Sequence, residues 1–349
     1  MFSASLYVGR TTVVRISAPQ RVSCRGILPQ FWEKGILLDF GKLWYSNRQS
    51  RPPFLEEAMN ALMEWGIRVI AWLQQASPML DWPFRAFTFM GEEEFFLLLL
   101  PLIYWCLDRQ TGARLTVAFL LCAYTNAVAK TLAAQPRPPD YASGRVKVLW
   151  EASGYGFPSG HTQSAVVVWG YLASQVRRMW FWVLALVMMV FIPLSRIYLG
   201  VHFPHDVLGG YLIGFALLAL YLWLEPGAER WLARQALPRQ LGVAVGVPLL
   251  LMLFFPTQDG VTEGATLMGM AVGFVLERRW VRFEAVGPWW KRVLRFLLGT
   301  VVLFALWMGL RVAFASLEPA PLFRFIRYGC VGLWGGLGAP WAFQKVRLA

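Results

Sequence analysis

The chain has 349 residues, 57% hydrophobic and 15% charged, with a mean hydropathy of +0.48. Soluble domains carry about 25% charged and about 45–50% apolar residues, so this composition excludes an ordinary soluble enzyme and indicates a membrane protein. The net charge of +13 fits positive-inside loops and contact with anionic lipid headgroups; no soluble module with a basic face is present, so a nucleic-acid partner is set aside.

Residues 1–54 stand apart. They carry Arg10, Arg15, Arg21, Arg25, Arg48 and Arg51 and end in Arg51-Pro52-Pro53. No apolar core of about 7–15 residues with a cleavage site follows the first charges, which argues against a signal peptide. The stretch reads as a disordered tail, or as sequence upstream of a true start at Met59 or Met63. Residues 55–80 place Met63, Ile67, Ile70 and Leu73 at helical spacing among Glu64, Arg68, Gln74 and Gln75, and are predicted to form one interfacial helix.

A polytopic all-α bundle of eight to nine spans is then expected, since a span needs about 20 mostly apolar residues. The segments lie near 93–108, 114–134, 161–176, 179–200, 205–224, 241–257, 264–277, 293–314 and 323–343. Gly242/Gly246, Gly269/Gly273 and Gly332/Gly336 have the spacing of close helix contacts. The four cysteines (Cys24, Cys106, Cys122, Cys330) have neither metal spacing nor a paired framework.

Charge sets the orientation. Arg109 and Arg114, then Arg177 and Arg178, then Arg230, Arg234 and Arg239, then Arg278, Arg279, Arg282, Lys291 and Arg292 fall in alternate loops, which the positive-inside rule makes cytoplasmic. Loops 135–160, 200–205, 257–263 and 315–321 then face outward. Arg137, Arg145 and Lys147 break the rule there and invite a functional explanation.

Three segments on that outward face could carry chemistry: Lys130 followed by Arg137-Pro138; Pro158-Ser159-Gly160-His161; and Ser195-Arg196 followed by His202 and Asp206. Lys130, Arg137 and Arg196 supply cations for a phosphate dianion, with arginine offering a planar fork to two oxygens. Gly160 permits close backbone approach, and the first amides of the helix at His161 offer donors. Two histidines can act as nucleophile and general acid, and Asp206, four residues after His202, can orient a ring nitrogen. Singly, each has a plainer reading: a lysine or arginine at a span end is usually a snorkelling anchor, and Ser-Gly at a helix start is usually a cap. Together, those plainer readings require the cations and histidines to converge on one face by accident.

In order, the segments read Lys130-x6-Arg137-Pro138, Pro158-Ser159-Gly160-His161, and Ser195-Arg196-x5-His202-x3-Asp206. This pattern resembles the type 2 phosphatidic acid phosphatase superfamily over about residues 60–225. The resemblance implies a six-helix phosphatase-like membrane core, here 55–225, with residues 226–349 as a C-terminal transmembrane extension. It implies His202 as the nucleophile that becomes phosphohistidine, Asp206 as its orienting partner and His161 as the acid. Lys130, Arg137, Ser159, Gly160 and Arg196 are then the phosphate cradle. No metal or other cofactor is implied. His205 matches no signature position and takes a structural reading.

The expected activity is hydrolysis of a lipid phosphate or diphosphate at the outer face of the cell membrane. Undecaprenyl diphosphate, phosphatidate and phosphatidylglycerol phosphate are natural substrates by the resemblance. The loop 139–157, with Tyr141, Arg145, Lys147, Trp150 and Tyr155, is expected to shape the entrance. One rival is phosphoryl transfer to another acceptor, or hydrolysis of a non-lipid ester; the soluble vanadate haloperoxidases share the motif but lack the apolar spans. The other is a non-enzymatic phosphate-binding membrane protein, which the presence of both His202 and Asp206 disfavours.

Overall fold

Among the described residues, each apolar segment expected to span forms a helix over most of its length. The structure is a computed structural model and describes residues 53–317 and 320–349, all within the unit Phe40–Ala349. The predicted tail lies almost wholly outside the described residues.

The chain begins with α1 (Pro53–Leu73) and α2 (Asp81–Phe89), followed by α3 (Glu93–Leu102), α4 (Arg109–Ala133) and a short α5 (Pro138–Tyr141). Next come α6 (Gly160–Val176), α7 (Met179–Tyr198), α8 (Pro204–Ala233) and α9 (Leu237–Phe254). The last are α10 (Gln258–Leu276), α11 (Trp289–Ala313), α12 (Pro321–Leu333) and α13 (Ala339–Lys345). Each of the nine predicted segments is helical over most of its length. Five helical segments, beginning at Arg109, Met179, Pro204, Leu237 and Trp289, are long and apolar enough to cross a membrane by length and composition.

Several boundaries differ from expectation. The helix predicted over 55–80 ends at Leu73 and a second helix, α2, follows, because residues 74–80 contain Ser77-Pro78 and proline disfavours helix in the residue before it. The face of α1 is as predicted: Met63, Ile67 and Ile70 pack with Ile197, Phe203 and Val207. The predicted outward loop 257–263 is instead the first turns of α10, capped by Thr257, whose hydroxyl accepts from Gly260 N. Glu225 and Pro226, the expected boundary between core and extension, lie inside the unbroken α8.

The core is built on α6, whose Ala165, Val166, Val167 and Val168 are buried against α4, α7 and α8. The extension docks onto it through three π-helical turns, at Ile103–Leu107, Glu277–Val281 and Trp334–Gly338. Tyr104 Oη donates to Gly336 O at 3.1 Å and Trp105 Nε1 to Gly335 O at 3.0 Å. Within the extension, α10 and α12 meet at Gly269 and Gly332: a Cβ at Gly269 would run into the Gly329 carbonyl, and one at Gly332 into that of Thr266. Gly242 and Gly246 face open space, so that pair marks no close helix contact.

The alternation of helices gathers the basic loops at one end. There Arg114 pairs with Glu225 and Glu229, Arg109 with Glu277, and Lys291 Nζ donates to Arg347 O. The opposite end collects the end of α4, the starts of α3, α6 and α8, and the end of α7, where the three sequence segments lie.

Candidate active site

The site is assembled by helix ends. The α7–α8 connection turns at Gly200, whose φ of 77° is left-handed and suits glycine. That turn lets the Arg196 carbonyl accept from both Val201 N and His202 N, at 3.1 and 3.2 Å. Two residues after Pro204 opens α8, the Asp206 carboxylate bonds back to the amide of Phe203 at 2.9 Å. Ser159 N donates to the Asp206 carbonyl at 2.9 Å, which ties the start of α6 to the start of α8. The two catalytic candidates His161 and His202 stand on these two tied segments.

His202 is 1% exposed and Asp206 fully buried. His202 Nδ1 lies 3.2 Å from Asp206 Oδ2, and its Nε2 lies 3.1 Å from NH1 of Arg137. A guanidinium has only donors, so Nε2 must present its lone pair and Nδ1 must carry the proton. Burial pushes the His202 imidazole well below the ordinary histidine range, and the charges of Arg137, Arg196 and Lys130 push the same way. The ring is therefore neutral and oriented, with its lone pair on Nε2.

Arg137 is itself locked. Nε donates to Gly154 O at 2.9 Å, NH2 to Ser153 O at 2.8 Å and NH1 to Val201 O at 2.9 Å. Ser159 caps α6, its hydroxyl accepting from Thr162 N at 3.4 Å. At Gly160 a Cβ would stand 2.9 Å from Asn126 Oδ1, so only glycine fits without a shift. Lys130, in the last turn of α4, lines the same cavity as Gly160 and His161. Among the described residues, no carboxylate lies within ion-pairing distance of Lys130. His205 stacks on Phe203 at 5.2 Å between ring centres, with its Nε2 3.2 Å from Gln135 Oε1.

The residue that sequence reasoning missed is Glu92. Its Oε1 lies 3.2 Å from His161 Nε2, 3.2 Å from Arg196 NH1, and accepts from Trp150 Nε1 at 2.8 Å. Burial pushes this carboxyl up, but the contacts with His161, Arg196 and Trp150 outweigh burial and hold it down at about 2. In the sequence Glu92-Glu93-Glu94 reads only as acidic residues at a helix start, where the macrodipole favours them. Arg196 NH1 also donates to Thr88 Oγ1, on α2. The loop expected at the entrance is held by Gln74, which donates to Lys147 O and Tyr198 O at 2.8 and 2.9 Å, and by a two-pronged Arg145–Glu64 pair at 2.8 Å.

The pattern described as PAP2 superfamily matches residues 111–230, and that described as PAP2 superfamily phosphatase, transmembrane extension, matches residues 261–349. Phosphatidylglycerophosphatase B of Bacillus subtilis is 31% identical over 168 residues, an alignment covering 79% of that protein and 44% of this chain. This chain belongs to the PAP2 superfamily. Sphingosine-1-phosphate phosphatase 2 of Mus musculus is 34% identical over 145 residues, 39% of this PAP2 chain and 40% of the relative's length. The crystal structure of Aquifex aeolicus LpxE covers 45% of the PAP2 chain and 94% of its own, at 28% identity and a TM-score of 0.41. With its helices and transmembrane extension, this PAP2 protein is a multi-pass membrane protein.

Proposed function

We propose that this chain is a membrane lipid phosphatase that works through a phosphohistidine and needs no metal. The observation that carries the reading is the state of His202: a buried neutral imidazole with its lone pair on Nε2, set among Arg137, Arg196 and Lys130. Nε2 attacks phosphorus, a P–N bond forms, and the P–O bond to the lipid alcohol breaks. His161 gives the leaving oxygen its proton, and Asp206 stabilises the positive charge on His202. Water then cleaves the P–N bond and releases inorganic phosphate. The three cations neutralise charge on the transferring group, with the amide of Gly160 as a further donor.

The site sits at the end of the bundle opposite the basic loops, which supports an extracytoplasmic active site in the cell membrane, reached laterally from lipid. The core over 55–225 carries the chemistry, and the helices from 226 onward form the extension, for eight to nine spans in all. The names of the relatives support a lipid phosphate as substrate. The test is phosphate release from a panel of lipid phosphates and diphosphates by purified protein, with and without EDTA, beside His202→Ala. Metal-independent release that His202→Ala abolishes is the expected result; release lost to EDTA overturns the mechanism.

A further inference from the structure

A cavity of about 440 Å³ opens on the candidate active site and runs into the bundle between the core and the C-terminal extension. Its polar lining is concentrated at the catalytic end, with Lys130, His161, Glu92, Asp259 and Glu263. The far end is apolar, closed by Leu100, Leu303 and the rings of Tyr104 and Trp105. The polar tips of those two rings are taken by the Gly336 and Gly335 carbonyls, so the floor presents ring carbon. The threonines along the walls are satisfied by their own helices: Thr116 and Thr266 donate to Gly112 O and Thr262 O at 2.8 and 2.7 Å.

The lining runs from Gly91 to Trp105 beside α3 and from Lys130 back to Thr116 on α4. The fourteen-residue rise along α4 from Thr116 to Lys130 gives a depth of about 20 Å, more than the roughly 15 Å of one leaflet's hydrocarbon. We propose that this cavity holds a long hydrocarbon chain of the substrate, and that the extension exists to complete it. Thr266 and Met270 of α10, Leu303 and Trp307 of α11 and Val331 of α12 form the wall that the core lacks. The inference rests on the phosphatase reading for the headgroup and assigns the extension a part in holding the substrate's hydrocarbon chain.

Purified full-length protein would be assayed on n-alkyl phosphates from butyl to octadecyl, beside p-nitrophenyl phosphate. kcat/KM should rise about 100-fold or more from butyl to hexadecyl phosphate, since each buried methylene adds to binding. Thr266→Phe and Leu303→Trp, which narrow the cavity from the extension side, should lower the hexadecyl-to-butyl ratio about tenfold or more. A ratio that neither chain length nor the variants change overturns the proposal, while p-nitrophenyl phosphate turnover leaves the phosphatase reading standing. Independently of turnover, a hexadecyl phosphonate with a diazirine on its terminal carbon should form adducts on α10 and α11. Adducts confined to outward-facing residues such as Leu212 and Leu250, which are 74% and 66% exposed, overturn the proposal too. Adducts in the cavity without hydrolysis of any ester would retain the cavity and remove the phosphatase reading.

Discussion

The carboxylate of Glu92 bridges His161 and Arg196, with one oxygen, Oε1, 3.2 Å from both Nε2 of the first and NH1 of the second. A carboxylate held at about 2 stays ionised at working pH and presents its negative charge to both His161 and Arg196. Each of the two histidines thus has its own acidic neighbour: Asp206 for His202, Glu92 for His161.

Glu92→Gln should therefore slow the step that expels the leaving group, by about 10–100-fold on an alkyl phosphate. The defect should shrink on an aryl phosphate whose phenolate leaves without a proton. Comparing kcat/KM for the two substrates checks this, and an equal loss on both would show that Glu92 serves only to hold Arg196.

His202→Ala should remove phosphoenzyme and turnover together. Asp206→Asn should keep the fold and lower turnover by about 10²–10⁴-fold, by analogy with the third member of a hydrolytic triad. Acid quench with labelled phosphate reads both. Acid-labile, base-stable label persisting in His202→Ala would move the nucleophile elsewhere, with His205, 3.3 Å from Asp206 Oδ1, the first to test.

Stability should depend on pH through His202. Its folded-state value lies well below the 6.5 of the unfolded chain, so above pH 6.5 neither state is protonated and nothing is lost. As pH falls below 6.5 the unfolded chain takes up a proton that the folded one refuses, and stability drops by up to about 1.4 kcal/mol per pH unit. Glu92, lowered from 4.5 to about 2, contributes stability above 4.5 that is lost only as pH falls toward 2. Thermal unfolding in detergent between pH 8 and pH 5 should accordingly be steeper for wild type than for His202→Gln. Parallel profiles would mean that folded His202 takes up its proton as readily as the unfolded chain does.

Cysteines placed in the loop 139–157 of a Cys-free variant should react with impermeant thiol reagents on intact cells, and those at Arg177 or Arg234 should not. The reverse pattern would turn the site toward the cytoplasm and remove the outer-face substrates.

Gly269→Leu and Gly332→Leu should destabilise the protein by about 1–3 kcal/mol or more, because α10 and α12 touch backbone to backbone there. Gly242→Leu and Gly246→Leu should be near neutral, since both face open space. Thermal stability of the four variants separates them, and a uniform response would deny the α10–α12 contact its part.

The sequence by itself determined the class of the molecule and the polar groups that gather at one end of the bundle. Long apolar stretches leave a backbone no choice but helix in hydrocarbon, so the segments were legible as helices, five of them long and apolar enough to cross a membrane. Lys130, Arg137, Ser159, Gly160, His161, Arg196, His202 and Asp206 were legible because each stands at a fixed offset from a helix end, and helix ends carry their offsets in the local sequence. What depends on packing between distant segments was not legible. Glu92 looks like its neighbours Glu93 and Glu94 until α3 is set beside α6 and α7, and Trp150 looks like loop until its indole reaches Glu92. The glycine pairs share one spacing, yet only tertiary contact separates Gly269 and Gly332, pressed on neighbouring backbones, from Gly242 and Gly246, which meet nothing. The same holds for the cavity. Its walls come from α3, α4, α10, α11 and α12, far apart in the chain, and an empty volume is a property of how helices meet, which no local pattern of residues encodes.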